Sequence, residues 1–280
     1  MSGLAHIVAL LRAGGVPEAE HEAARLLAAN PANLDEIIAR RVEGVPLGHL
    51  LGSEEWMGIE ITVSPEVLAP RKETELLART AIAHLKAIKA PVVIDMCCGS
   101  GNLGCAIAHY VADSRVFACD LTDACVALAR ENAAKLALAD RLTVHQGDLF
   151  DSLVGENLTG AVDLGSVDLG SVDLVVCNPP YISSSRLEKD RATLLQHEPR
   201  AAFDGGPYGL TIQQRVIREA APFVKAGGAL AFEIGEGQDR QITTLFARAK
   251  RIWADVELVN DENGTARVAV ARRTAVAAQG

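Results

Sequence analysis

Long apolar runs are missing from this 280-residue chain. No uninterrupted apolar segment reaches the roughly 20 residues that a bilayer-spanning helix needs, so no membrane span is expected. The start is amphipathic and is not an apolar run behind a basic stretch, so no signal peptide is expected either. Cys-x-x-Cys pairs are also absent. The six cysteines (Cys97, Cys98, Cys105, Cys119, Cys125 and Cys177) lie in the middle of the chain, in or near apolar segments, with no His at metal-ligand spacing. That excludes a zinc ribbon and predicts reduced, mostly buried thiols in a cytoplasmic protein with no metal site. Basic residues are scarce at the start: residues 1–70 hold four of them against ten acidic ones, most of the net charge of -9. Such a surface disfavours a phosphate backbone as partner and suits a basic protein face.

With 49% hydrophobic and 22% charged residues, the composition is that of a globular chain with a sizeable core. Periodicity predicts short helices at 4–12, 17–29, 33–43 and 46–51, a unit too small to be stable unless it packs on something. Two strands, 56–63 and 66–69, are expected around Ser64-Pro65. A helix follows over 74–89. From Val92 the rhythm is strand–helix–strand: strands at 92–94, 115–118, 142–145, 174–177 and 228–234, and helices at 101–112, 123–137, 211–224 and 238–251. A terminal hairpin is expected from 256–259 and 267–271. Alternating strands and helices predict a parallel sheet with helices on both faces. Trp56 and Trp253 are expected in packing roles. Residues 162–174 repeat Val-Asp-Leu-Gly-Ser and are expected to form an exposed insertion without chemistry.

Asn178-Pro179-Pro180-Tyr181 is the most informative segment. It ends an apolar strand, and its prolines cannot donate to a ladder, so pairing must stop there. What remains is a stiff loop with outward carbonyls, one side-chain amide and one ring. Asn178 and a proline carbonyl can each accept one N–H of a planar NH2 group while Tyr181 packs on its flat face.

A glycine loop, Asp95-Met96-Cys97-Cys98-Gly99-Ser100-Gly101-Asn102-Leu103-Gly104, follows a strand and opens a helix. Its glycines permit a tight turn and close approach of a ligand. Asp120 stands at the end of the next strand, where a carboxylate can accept both hydroxyls of a ribose. Asp148 follows the third strand, within reach of an adenine edge, with Leu149 packing on the base. The expected cofactor site is thus Asp95, Cys97, Cys98, Gly99, Ser100, Gly101, Asp120, Asp148, Leu149 and Asn178; the expected catalytic set is Asn178, Pro179, Pro180 and Tyr181. Gly99-x-Gly101-x-x-Gly104 also matches the dinucleotide fingerprint, but no Tyr-x-x-x-Lys pair or similar hydride-transfer acid accompanies it.

These residues resemble the HemK/PrmC family of protein glutamine-amide methyltransferases. The resemblance runs through residues 70–77, 95–104, 147–150, 178–181, Glu198-Pro199-Arg200-Ala201-Ala202, residues 204–210, Glu233-Ile234-Gly235 and 267–273. It implies an α/β fold: a Rossmann-like class I methyltransferase sheet over residues 71–280, behind a small N-terminal helical domain over residues 1–70 that helps to hold the substrate. It implies S-adenosyl-L-methionine as donor, S-adenosyl-L-homocysteine as product, and the Gln of the Gly-Gly-Gln loop of a peptide-chain release factor as acceptor. Two departures stand out: Lys72 replaces the family's usual proline, and Cys97-Cys98 replace a Gly-Thr-like pair. Amino methylation of adenine in nucleic acid, and an adenosyl-ligand binder or oxidoreductase on the same fold, remain as alternatives. Arg71 and Glu73 read best as a domain-linking ion pair, His197 as a surface or packing residue, and Glu198-Pro199 as a loop able to close over the site.

Overall fold

A computed structural model describes residues 3–153, 167–189, 195 and 198–275. Four helices come first: α1 (Gly3–Ala13), α2 (Ala19–Ala29), α3 (Leu34–Val42) and α4 (Leu47–Leu51). Their apolar faces meet in a small core of their own, built on Ile7, Leu11, Ala23, Leu26, Ile37 and Ile38. A hairpin follows, β1 (Ser53–Trp56) and β2 (Ile59–Thr62), then α5 (Thr74–Leu85).

The hairpin departs from the expected arrangement. The reversal falls at Met57-Gly58, whose φ angles are +52° and +76°, and not at Ser64-Pro65. Two consecutive left-handed residues give the tight turn whose twist suits a hairpin, whereas Pro65 lacks an N–H to pair. The signal was hidden because Met, not Asn or Asp, occupies the first turn position.

The main sheet holds β3 (Val92–Met96), β4 (Arg115–Asp120), β5 (Leu142–Gln146), β6 (Val172–Cys177), β7 (Val224–Glu233), β8 (Glu257–Asn260) and β9 (Ala266–Arg272). Their spatial order is β5-β4-β3-β6-β7-β9-β8. All neighbouring pairs are parallel except β7–β9 and β8–β9. The connecting helices are α6 (Asn102–Tyr110), α7 (Asp123–Lys135), α8 (Ser184–Lys189), α9 (Thr211–Glu219) and α10 (Asp239–Arg248). Helix α9 ends at Glu219, three residues before Pro222, which has no N–H to return to the helix; the chain then enters β7 four residues earlier than the pattern suggested. Of the Val-Asp-Leu-Gly-Ser repeat, residues 162–166 lie outside the described residues. The third copy is not an exposed loop: Val172, Asp173 and Leu174 open β6 and are buried.

Alternate strand residues face opposite sides, as a pleated sheet requires. Val93, Val116, Val144, Leu174 and Ala231 point to one face, covered by α5, α6, α7 and the hairpin residues Trp56, Ile59 and Ile61. Ile94, Phe117, Val175, Leu230 and Phe232 point to the other, covered by α9, α10 and Trp253. Both tryptophans are buried, and their indole N–H groups donate to Arg71 O and Ile217 O, each at 2.9 Å. Strand β3 has β4 on one side and β6 on the other, so the sheet changes winding direction between β3 and β6, where a crevice opens at the carboxyl ends of the strands.

Asn132, fully buried in α7, holds that crevice in shape. Its Oδ1 accepts from Thr62 N at 2.7 Å, and its Nδ2 donates to Thr62 O and Ser100 O, both at 2.9 Å. One side chain thus joins the hairpin to the glycine loop. Replacing Asn132 with Ala strands three backbone groups. We expect a loss of about 3 kcal/mol in a urea denaturation series, from unmade hydrogen bonds in a dry site.

Candidate active site

The glycine loop leaves β3 through three left-handed residues, Cys97 (φ +59°), Gly99 (φ +55°) and Gly101 (φ +76°). A glycine would adopt the first of these freely; a cysteine there holds a mildly strained backbone. Cys97 is half-buried and packs at the edge of the second core. Gly101 needs its missing side chain as well, since a Cβ would sit 3.0 Å from that of Ala129 on α7.

Two carboxylates shape this loop. Asp120, at the end of β4, accepts from Gly99 N at 2.9 Å through Oδ2 and from Leu121 N at 2.8 Å through Oδ1. Asp95 is 1% exposed. Its Oδ2 accepts from Gly104 N at 2.8 Å, and its Oδ1 has no hydrogen-bond partner among the described residues. Burial, with a smaller push from Asp120 that the Gly104 amide opposes, raises the Asp95 carboxyl from 3.8 to about 7.

The other expected donor-side residues lie further out. Asp148 is half-exposed, and both its oxygens receive Arg215 Nη1, at 2.8 and 2.9 Å. Leu149 has φ +51° and turns its side chain into the second core.

Asn178 begins the loop after β6. Its Nδ2 donates to Thr74 Oγ1 at 3.0 Å, Thr74 Oγ1 donates to Glu233 Oε2 at 2.7 Å, and Tyr181 OH donates to Glu233 Oε1 at 3.1 Å. Glu233 and Thr74 are both buried. Burial raises the Glu233 carboxyl above its ordinary range, partly offset by the Thr74 and Tyr181 hydrogen bonds. Burial and the Glu233 charge raise the Tyr181 phenol well above its usual value, so it stays protonated and donates. The backbone of this loop rests on glycines. Gly205 faces Pro180 O, where a Cβ would come within 2.8 Å, and a Cβ on Gly209 would stand 2.3 Å from Tyr181 O. Gln238 bonds the same neighbourhood four ways: Nε2 donates to Tyr181 O and Gly209 O, and Oε1 accepts from Gly235 N and Gln213 Nε2.

The two halves meet in one cavity of about 40 Å³, lined by Asp95, Cys97, Cys98, Gly99, Ser100 and Asn178, and roofed by Leu68, Ala69, Pro70 and Arg71. Glu198 fixes the roof: it accepts from Ala69 N at 3.0 Å and pairs with Arg71. The Arg71 ion pair therefore reaches Glu198 and not Glu73; His197 lies outside the described residues. The roof also borders a groove of about 1550 Å³ between the helical unit and the hairpin, lined among others by Glu18, Arg25, Glu54 and Lys72. Lys72, the residue in place of a proline, pairs with Glu18 at 2.5 Å and ties the linker to α2.

Comparison with known proteins agrees with this geometry. A family described as "Methyltransferase domain" matches residues 89–263. The release factor glutamine methyltransferase of Moorella thermoacetica is 35% identical over 85% of this chain and 78% of its own length. That of Geobacter sulfurreducens is 32% identical over 83% and 75%. This chain belongs to the release factor glutamine methyltransferase family. Among solved structures, the hMettl16 catalytic domain in complex with MAT2A 3′UTR hairpin 6 gives a TM-score of 0.58 at 14% identity, covering 85% of this chain and 82% of that one. The N-terminal domain of human METTL16 in complex with SAH gives 0.53 at 15%, covering 86% and 84%. At such identities the likeness establishes a shared methyltransferase fold.

Sequence reasoning placed this methyltransferase's Asn178, Tyr181 and Asp95 around one crevice, and the structure brings Asn178 and Asp95 to the same cavity. It missed Thr74, Asn132 and Gln238 as site-builders. Thr74 stood within the quoted linker motif, but nothing in spacing links it to Glu233, 159 residues away.

Two outcomes follow. In Gly209→Ala the new methyl forces Tyr181 O aside at a backbone angle that alanine avoids, so methyl transfer should fall about 10²-fold while the melting temperature drops only a few degrees. Asp95 holds its proton up to about pH 7 when folded but only to about 3.8 when unfolded. The native state thus binds more protons across that window, and the burial penalty grows as pH rises. Asp95→Asn should stabilise the ligand-free protein most at pH 8, with the advantage shrinking toward pH 4 in urea denaturation; a pH-independent difference would contradict this.

Proposed function

We propose that the chain transfers a methyl group from S-adenosyl-L-methionine to the side-chain amide nitrogen of the Gln in a release factor's Gly-Gly-Gln loop, leaving S-adenosyl-L-homocysteine. One observation carries this reading: Asp95, with a buried oxygen that has no hydrogen-bond partner among the described residues, and Asn178 line the same cavity. The residues present fit the donor. Among the described residues Asp95 Oδ1 has no hydrogen-bond partner, Gly99 brings no side chain to the cavity, and Asp120 stands at the neighbouring strand end. Asp95, Cys97, Cys98, Gly99, Ser100, Gly101 and Asp120 would hold it, with Asp148 and Leu149 further along the strand ends. When bound, this donor supplies an electrophilic methyl on a sulfonium.

The chain's own work is to hold the amide. An amide nitrogen is a weak nucleophile because its lone pair is shared with the carbonyl. Asn178 gives its NH2 to Thr74, which leaves Oδ1 as an acceptor for one amide proton. The Pro180 carbonyl is turned toward Gly205, which leaves that of Pro179 for the other proton. Tyr181, whose hydroxyl bonds Glu233 and whose carbonyl bonds Gln238, would pack its ring on the flat face of the bound amide. With both protons held, the nitrogen lone pair can turn out of the amide plane; once alkylated, the nitrogen is strongly acidic and loses one of its two protons past its carbonyl acceptor to solvent, so rate comes from orientation and electrostatics without a strong base.

The wide groove beside the roof supports a protein acceptor, and we assign substrate recognition to residues 1–70 and transfer to residues 71–280. The β-hairpin packs against the sheet domain while α1 to α4 keep their own core, so the helical unit can present a separate face. The acidic balance of residues 1–70 opposes a nucleic-acid acceptor, although the same Asn-Pro-Pro-Tyr device could hold an adenine amine. None of the described helices is long and apolar enough to cross a membrane, and with free cysteines throughout we place the protein in the cytoplasm.

The test is mass spectrometry of a Gly-Gly-Gln release factor incubated with the protein and the donor. One added methyl on that Gln is expected. In Asn178→Ala, kcat/KM should fall about 10²–10³-fold, as when one positioned oxyanion-hole donor is removed, with calorimetric donor binding nearly unchanged. Methyl transfer at the wild-type rate by this variant would end the mechanism.

A further inference from the structure

Asn178 can face a substrate in two ways, with its oxygen or with its NH2. Only the first accepts an amide proton. The chain Glu233–Thr74–Asn178 decides between them. Thr74 has one hydroxyl proton, and it points to Glu233 Oε2 at 2.7 Å. The remaining lone pairs of Thr74 Oγ1 can only accept, so the group 3.0 Å away on Asn178 must be the NH2. The second oxygen of Glu233 is taken by Tyr181 OH at 3.1 Å, which stops the carboxylate from rotating. Glu233 is 3% exposed and Thr74 is 3% exposed, so water does not compete for these bonds.

We propose that Thr74 and Glu233 are positioning residues that lock the Asn178 amide with its oxygen toward the acceptor. This rests on the amide-methylation reading above. The lock has a definite polarity. With a proton on Glu233 Oε2, the carboxyl becomes a donor, Thr74 can turn its own proton toward Asn178, and the amide is free to flip. The groups facing Glu233 are Glu73 and Thr74 from the start of α5, Tyr181 from the loop after β6, and Arg267 from β9. Burial and Glu73 favour the protonated form; Thr74, Tyr181 and Arg267 favour the carboxylate. Transfer is therefore lost as pH falls through the folded titration of Glu233, at a pH above the ordinary carboxylate range.

Two experiments test this. The first measures kcat and KM for a Gly-Gly-Gln peptide with wild type, Thr74→Val, Thr74→Ser and Glu233→Gln. Thr74→Val should lose about 10²-fold in kcat, the scale of a misplaced reacting group, with peptide KM and S-adenosyl-L-homocysteine affinity little changed. Thr74→Ser should regain most of the rate. In Glu233→Gln, which cannot ionise, kcat should be low at every pH and the part of the acidic limb due to Glu233 should be lost. A Thr74→Val enzyme with wild-type kcat, a Thr74→Ser enzyme no better than Thr74→Val, or an unaltered acidic limb in Glu233→Gln would each overturn the proposal.

The second needs no acceptor. The Asn178 side-chain NH2 is followed by 1H–15N correlation in the ligand-free protein. One of its protons should be shifted downfield and protected from exchange in wild type and Thr74→Ser, and released in Thr74→Val. An identical resonance in Thr74→Val would overturn the lock, whatever the wild type methylates. A wild type that leaves every Gln peptide unmodified while showing the shifted resonance would refute the substrate reading and keep the lock.

Discussion

A buried carboxylate accepting two hydroxyl protons organises this molecule. Glu233 closes β7 at the floor of the crevice and receives Thr74 from the first turn of α5 and Tyr181 from the loop after β6. β6 and β7 are paired as far as Cys177 and Phe232, and the Glu233 side chain adds the first turn of α5 to that pair. A charge so placed is costly unless every lone pair is engaged. The arrangement therefore has a built-in requirement for the linker helix, the proline loop and the central sheet to be seated together before the site exists.

The second organising constraint is the change of winding between β3 and β6. It opens a crevice between the glycine loop and the proline loop, and the segment Leu68 to Arg71 then narrows that crevice to a small cavity. Glu198 holds this roof from one side, while Lys72, the next residue after it, pairs with Glu18 just before α2. The roof is thus coupled to both the catalytic sheet and the helical unit. A side chain reaching the cavity from a bulky partner has the larger groove beside it to accommodate the rest of that partner.

Much of this was legible in the residues. The strand–helix alternation from Val92 onward and the Asn-Pro-Pro-Tyr terminator identify the sheet and the end of one of its strands, because buried parallel strands are short apolar runs and proline ends a ladder; the strand order and its switch point came only with the structure. The acidic strand ends are visible for the same local reason. What was not legible is long-range. The Thr74–Glu233 bond joins residues 159 positions apart, and Asn132 reaches Thr62 across 70. No pattern along the chain encodes such pairs, since each partner alone reads as an ordinary polar residue in a helix or at a strand end. The hairpin at Met57-Gly58 was misplaced because a methionine in a left-handed conformation carries no turn signature. The partner of Asp148 was equally hidden: Arg215 Nη1, which reaches both of its oxygens, comes from α9, a helix whose approach to that strand end the sequence does not announce.

The most direct test of the account is a double-mutant cycle in methyl transfer between Thr74→Val and Asn178→Ala. If Thr74 acts only by orienting Asn178, its loss costs nothing once that amide is gone, and the double variant should be no slower than Asn178→Ala alone. Additive losses would mean that Thr74 serves the reaction by another route and that the carboxylate-anchored lock is not what aims the amide.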